Sequence, residues 1–226
     1  MFDTTFPPVT IVMTTYFPST DEGDNRRRMA HRAMNSWAQN LTYRGEVLLH
    51  VADDGSETQI GTCWGEDVTY SYQNQGGYGA SLNAGFKKAF ETSPLALHAV
   101  DDWALLQDFD ITPWVYLLLQ REDVGMVRLG PPHPNNRGTA LMLTDAWQGW
   151  GLVLDRVGFA CGLRPALFHK RFFDNYGWFE ENTSALESER LYNEKFCSGT
   201  GPNIVLALPH PWEHLDSVSM SGREPK

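Results

Sequence analysis

An α/β architecture, a mainly parallel sheet with covering helices in a single domain, is what the sequence predicts. Short apolar, β-rich runs alternate with helical stretches through the first 130 residues, the pattern of strand–helix–strand units. Polar residues also gather where those runs end, which is where open sheets of this type bind ligands. A hydrophobic content of 42% over 226 residues is enough for one full core.

In chain order, the strands are expected in VTIVMTTY (9–16), EVLLHVADDGS (46–56), VTYSYQNQ (68–75), LALHAVDDW (95–103) and VGMVRLG (124–130). Helices are expected in NRRRMAHRAMNSWAQN (25–40), YGASLNAGFKKAFE (78–91) and TPWVYLLLQRED (112–123), the last with Thr112 as N-cap and Pro113 at the first helical position. The second half is less regular. Residues 137–159 alternate as a hairpin or two would, 164–177 and 184–196 read as helices, and NIVLALP (203–209) reads as a strand before a polar tail, 210–222.

At the strand ends stand Thr14, Thr15 and Tyr16, then Asp53 and Asp54, then Asn74, then Asp101 and Asp102. Asp and Asn also favour turns for local reasons, but four such ends in succession mark a ligand edge. The pair Asp101–Asp102 interrupts an apolar run, and adjacent carboxylates need solvent, a cation or a hydrogen-bonding loop. Gly76, Gly77 and Gly79 let backbone approach a ligand closely, and the helix that follows points its N-terminus at the same edge, which favours phosphate. There is no G-x-G-x-x-G and no Walker lysine, which lowers both a dinucleotide oxidoreductase and a P-loop enzyme.

The net charge of −10 disfavours non-specific wrapping of nucleic acid. Arg26, Arg27, Arg28 and Arg32 form a local basic run that suits an anionic acceptor, or simply a solvated helix face. Cys63, Cys161 and Cys197 are an odd number in no metal-type spacing, as a reducing compartment allows. With no apolar stretch of about 20 residues and no signal-like start, a cytoplasmic location is expected.

Taken in order, VTIVMTTYFPS, VADDGS, NQGGYGASLNAGF, HAVDDW, NYGWFEEN with LESERL, and EHLDSVSMS resemble the nucleotide-sugar glycosyltransferases of the GT-A fold, most closely the family-2-like group. The most specific part is DDGS followed by Asn74, Gly76, Asn83 and Gly85. The resemblance covers nearly the whole chain and implies one domain, with residues 1–130 forming a nucleotide-sugar-binding half and 131–226 an acceptor-binding half. It implies a donor site in which Thr14, Tyr16 and Asp54 or Asp53 hold a uridine-type base and ribose, with Thr15, Asn74, Gly79 and Asn83 also donor-binding and Asp101 as a ribose contact or the neighbour that supports the metal ligand.

The same resemblance implies Mn²⁺ or Mg²⁺ bound by Asp102, the last carboxylate of a D-x-D-like motif that here reads Val100–Asp101–Asp102, and by a late histidine, His214, with His210 as competitor. Hard oxygen ligands and a neutral imidazole suit such an ion. The family's base is an Asp in an E-D pair, but here the pair reads Glu187–Ser188, so Glu187, Glu189 and Glu181 are the substitutes. Ser184 and Glu187 also form an S-x-x-E capping box, in which Glu187 serves only the helix start. Trp147, Trp150 and Trp178 are candidates for stacking on a sugar or base, and Arg164 and His169 for acceptor contact.

The implied activity is metal-dependent transfer, by inversion, of a sugar from a nucleoside diphosphate sugar such as a UDP-sugar to an acceptor hydroxyl. The implied acceptor is a polysaccharide precursor or a hydroxymethylated pyrimidine in phage DNA. The alternatives are a non-catalytic nucleotide-sugar-binding protein, which the missing aspartate favours, and a nucleotidyltransferase. The last would carry a glycine-rich basic loop after the first strand, and TTYFPSTDEG is not one.

Overall fold

The computed structural model describes residues 6–57, 60, 68–131, 137–143, 149–157 and 164–215. Its elements, in order, are β1 (Val9–Thr15), α1 (Asp21–Asn40), β2 (Leu41–Thr42), β3 (Val47–Asp53), β4 (Val68–Tyr72), α2 (Tyr78–Thr92), β5 (Leu95–His98), β6 (Trp103–Leu105), β7 (Phe109–Asp110), α3 (Thr112–Gln120), β8 (Val124–Arg128), β9 (Gly138–Leu143), β10 (Gly149–Leu154), β11 (Ala166–His169), α4 (Lys170–Tyr176), α5 (Ala185–Ser198), β12 (Asn203–Leu208) and β13 (Trp212–His214).

Nine strands form one sheet in the order β4-β3-β1-β5-β11-β8-β12-β10-β9. Pairing is parallel from β4 through β3 and β1 to β5, and again between β8 and β12. β11 is antiparallel to both of its neighbours, and β9–β10 is the antiparallel hairpin expected from residues 137–159. Strand side chains alternate between two cores, as a sheet covered on both faces requires. In β1, Val9, Ile11 and Met13 face a core with Trp37 of α1 and Val115 of α3, while Val12 faces an aromatic core with Phe86, Phe172, Phe173, Tyr192 and Phe196 from α2, α4 and α5.

Several boundaries differ from the sequence expectation. α1 begins at Asp21 rather than residue 25, because Thr20 Oγ1 accepts from the Gly23 N–H at 3.2 Å and caps it there. Thr112 is not the N-cap of α3. It is already helical, the cap position is Ile111, and Asp110 Oδ1 accepts from the Thr112 N–H at 2.8 Å. Residues 164–177 are not one helix: 166–169 form β11, wedged between two strands and buried, and only Lys170–Tyr176 is helical. The fourth predicted strand stops at His98, and the chain turns before Trp103 opens β6.

β6 lies outside the main sheet and pairs with β13, His214 opposite Trp103. Helix α1 holds β6 through its backbone at three points. Trp37 Nε1 donates to the Trp103 carbonyl at 2.8 Å, Asn40 Nδ2 donates to the Leu105 carbonyl at 2.6 Å, and Ser36 Oγ accepts from the Leu105 N–H at 2.8 Å. Asp101 and Asp102 therefore sit on a turn fixed at both ends. Among the described residues no helix is long and apolar enough to cross a membrane.

Candidate active site

The turn after β3 separates two adjacent aspartates into different roles. Asp53 is buried and its carboxylate is fully engaged: Thr15 Oγ1 donates at 2.7 Å, the Gly55 and Ser56 N–H groups at 3.0 and 2.7 Å, and Ser56 Oγ at 2.6 Å. Gly55 takes φ +91° to make this turn, a conformation open to glycine. Asp54 points the other way. Its Oδ2 accepts from the Gly77 N–H at 3.1 Å, so a carboxylate occupies the N-terminus of α2, while its Oδ1 is buried with no partner. An unpaired buried carboxylate oxygen is costly, and a ligand N–H or hydroxyl relieves that cost.

Asp54 lines a cavity of about 190 Å³ together with Thr14, Thr15, Tyr16, Arg26, Tyr78, Ser81, Asp101 and Ala185. Tyr78 and Ser81 were not singled out in the sequence. They lie three residues apart on α2 and so share a face, and that spacing beside Gly79 was the signal available for finding them. The Tyr78 hydroxyl meets His98 Nε2 at 3.1 Å and is also hydrogen-bonded by Thr14. Burial pushes the His98 pKa down to about 3, so the imidazole is neutral. Ser81 Oγ is buried without a partner, a second unsatisfied group on this wall.

A second cavity, about 530 Å³, is lined by Glu22, Asn25, Arg26, Met29, Asp101, Asp102, His214 and Leu215. Here His214 Nε2 lies 3.2 Å from Asp102 Oδ2, although the two residues are 112 apart in sequence. Backbone pairing sets the approach: the Leu215 N–H donates to the Asp102 carbonyl at 2.6 Å. Asp102 Oδ1 is buried and unpartnered. A carboxylate with a free oxygen beside an imidazole fits Mn²⁺ or Mg²⁺, which complete their shells with water and phosphate. Among the described residues no group of three or more His, Cys, Asp or Glu is gathered to hold a metal. Asp101 is 6% exposed, and burial raises its pKa to about 6 against the opposing pull of Arg26, whose Nη2 is 3.5 Å away. His210 does not reach the second cavity; burial lowers its pKa, and Arg128 and Arg164 add to that.

The three glutamates fall in different surroundings. Glu187 forms two bonds to Arg190, 2.8 and 2.7 Å, and its backbone N–H donates to Ser184 Oγ at 3.2 Å, so the Ser184 cap is formed. Arg190 also holds its carboxyl below the usual range. Glu181 is exposed and accepts from Asn83 Nδ2 at 2.8 Å. Glu189 is half-buried, and its charge acts on both the Tyr78 phenol of the first cavity and Arg164.

The solved structures resembling this chain can now be set beside that geometry. Residues 1–349 of S. aureus TarS in complex with UDP-GlcNAc superpose with a TM-score of 0.56 at 17% identity, over 96% of this chain and 62% of that one. The same protein in complex with UDP gives 0.58 at 15% identity, over 88% and 60%. GalNAc-T7 with UDP, GalNAc and Mn²⁺ gives 0.61 at 12% identity, over 95% and 45%. The fold is that of the GT-A glycosyltransferases. This GT-A chain spans about 60% of the length of the TarS fragment it matches. No protein-family model matches the sequence, and a search of curated proteins found no match.

Within the GT-A frame, Gly79, Asn83 and Gly85 make close contacts with neighbouring elements. A Cβ on Gly85 would sit 2.4 Å from Val12 Cγ1, and one on Gly79 2.0 Å from the Glu180 carbonyl. Asn83 donates to the Phe179 carbonyl and accepts from the Phe179 N–H, both at 3.0 Å. Asn74 is exposed on the approach to α2. Arg164 stacks over Trp103, 5.9 Å from the ring centre, and so lies near the second cavity. His169 pairs opposite Leu95, at the other end of the β5–β11 ladder from His98, and accepts from the Arg171 N–H as the cap of α4. Trp178 packs on Phe173 with Lys87 over its ring. Trp147 and the side chain of Trp150 lie outside the described residues, as do Cys63 and Cys161; Cys197 is in no disulfide, and its Sγ accepts from Asn193 Nδ2 at 3.7 Å.

Proposed function

We propose that this chain is a nucleotide-sugar glycosyltransferase that uses a UDP-sugar donor with Mn²⁺ or Mg²⁺ and transfers the sugar to an acceptor hydroxyl. The observation that carries the reading is the meeting of Asp102 with His214, together with a neighbouring cavity lined by Asp54, whose Oδ1 is buried without a partner. The unpaired oxygen of Asp54 suits a base N–H or a ribose hydroxyl, because a carboxylate only accepts. The relatives solved with UDP, UDP-GlcNAc, and UDP with Mn²⁺ support the same assignment. Asp102 and His214 would hold a divalent cation, which would supply positive charge beside the diphosphate of the donor.

Of the three glutamates, the geometry favours Glu189 as the group that takes the acceptor proton. Glu187 is tied to Arg190 and Glu181 to Asn83. Glu189 is half-buried on α5, and its charge acts on the Tyr78 phenol of the first cavity and on Arg164. A carboxylate base is compatible with inversion. The net charge of −10 favours a glycan over a nucleic acid as acceptor.

The test is calorimetry of UDP, with and without Mn²⁺, on the wild type and Asp102→Asn. Mn²⁺ is expected to tighten UDP binding at least about tenfold in the wild type and not in the variant. Equal binding in all four conditions removes the metal role of Asp102, and absence of UDP binding removes the donor reading. Release of UDP from a panel of UDP-sugars then separates an enzyme from a binding protein, which would hold UDP and turn nothing over.

A further inference from the structure

The two cavities have two lining residues in common, Arg26 and Asp101. A ligand with its nucleoside in the 190 Å³ cavity and its phosphates beside Asp102 and His214 in the 530 Å³ cavity must cross the wall those two side chains make. Those two side chains hold each other, Arg26 Nη2 to Asp101 Oδ2 at 3.5 Å. That is long for a charge-assisted bond, which runs about 2.7–2.9 Å, so little is lost when the pair parts.

Arg26 also stands apart from the basic run in which it occurs. Arg27 is engaged by Asp24 at 2.6 Å and Arg28 by Asn25, both within α1. Arg26 instead turns into a site whose other charged linings are Glu22, Asp54, Asp101 and Asp102. A diphosphate entering this acidic surround needs cations, and a guanidinium fork matches phosphate oxygens two at a time.

We propose that Arg26 is a phosphate-binding residue of the donor site and that Asp101 holds it there until the donor arrives. On binding, the ribose hydroxyls take over the Asp101 carboxylate and the diphosphate takes the guanidinium. The inference rests on the donor reading above and adds to it a protein cation, from α1, that neutralises the diphosphate independently of metal.

The experiment compares uridine with UDP by calorimetry, in EDTA and in Mn²⁺, for the wild type, Arg26→Met and Arg26→Lys. The Arg26 side chain is 41% exposed on a helix surface, so these variants are expected to fold. The expected result is UDP weakened about tenfold or more in Arg26→Met in both media, uridine within about twofold of the wild type, and Arg26→Lys between the two. Equal weakening of uridine and UDP would show that Arg26 only shapes the wall and would overturn the proposal, as would UDP binding unchanged by Arg26→Met. A wild type that binds neither ligand removes the donor reading and this proposal with it. One that binds UDP without dependence on Arg26 removes the proposal alone.

Discussion

Replacing His98 by Gln should make the protein lose less stability in mild acid. His98 is 3% exposed at the end of β5, with Phe86 and Tyr78 rings against it, the Tyr78 hydroxyl on Nε2 and the Arg164 backbone also hydrogen-bonded. Burial lowers its pKa from 6.5 to about 3 in the folded protein. As pH falls below about 6.5 the unfolded chain takes up a proton that the folded state refuses until about pH 3. The contribution of neutral His98 is thus complete above about pH 6.5 and is lost progressively on acidification through that window. At about 1.4 kcal/mol per pKa unit, the loss at pH 5 is about 2 kcal/mol. Gln keeps a donor and an acceptor but does not titrate. Urea unfolding at pH 7.5 and pH 5, on both proteins, should show the wild type losing about 2 kcal/mol more than His98→Gln. His50, lowered to about 4, and Asp101, raised to about 6, act in both proteins and drop out of that comparison. Equal acid losses in the two proteins would refute the reasoning.

Gly79→Ala places a methyl 2.0 Å from the Glu180 carbonyl and 2.8 Å from Ser188 Oγ, a backbone clash that no rotamer relieves. Overpacking of this kind costs about 1–3 kcal/mol, and at about 2–4 °C per kcal/mol for a chain of this size a Tm lower by about 2–12 °C is expected by differential scanning calorimetry; an unchanged Tm would contradict the close approach. Among the glutamates, Glu189→Gln should lower transfer from a UDP-sugar by about 100-fold or more while leaving UDP affinity within about threefold. Glu187→Gln, which loses only an exposed pair with Arg190, should keep transfer within about threefold. The reverse order in a steady-state assay would move the base to Glu187.

The parallel strands β1, β3, β4 and β5 and their polar ends were legible because β-branched runs and turn residues are local signals. β11 was not, because a buried four-residue strand runs into α4 with no Gly or Pro between them, and its periodicity alone does not separate the two. β2, β6, β7 and β13, two or three residues long, are too short to show any period. The partnership of Asp102 and His214 followed only from the resemblance, since pairing across 112 residues leaves no local trace. The choice among the glutamates needed the helix itself. Residues two apart on α5 point about 200° apart, so Glu187 and Glu189 cannot serve the same face.

The segment that made the sequence recognisable, Asn74 to Gly85, contributes frame more than contact. Gly85 lets α2 settle onto Val12 of β1, Gly79 lets the Glu180 carbonyl close against the helix, and Asn83 fixes both backbone groups of Phe179. Those three constraints determine which way α2 is turned, and the turn brings Tyr78 and Ser81 to the cavity wall. They also fix the loop from Phe179 to Ser184, whose Ser184 caps α5, the helix that carries Glu189. A side chain added at Gly79 should therefore disturb the nucleoside wall and the position of the base together, even though Gly79 offers a ligand no side chain of its own.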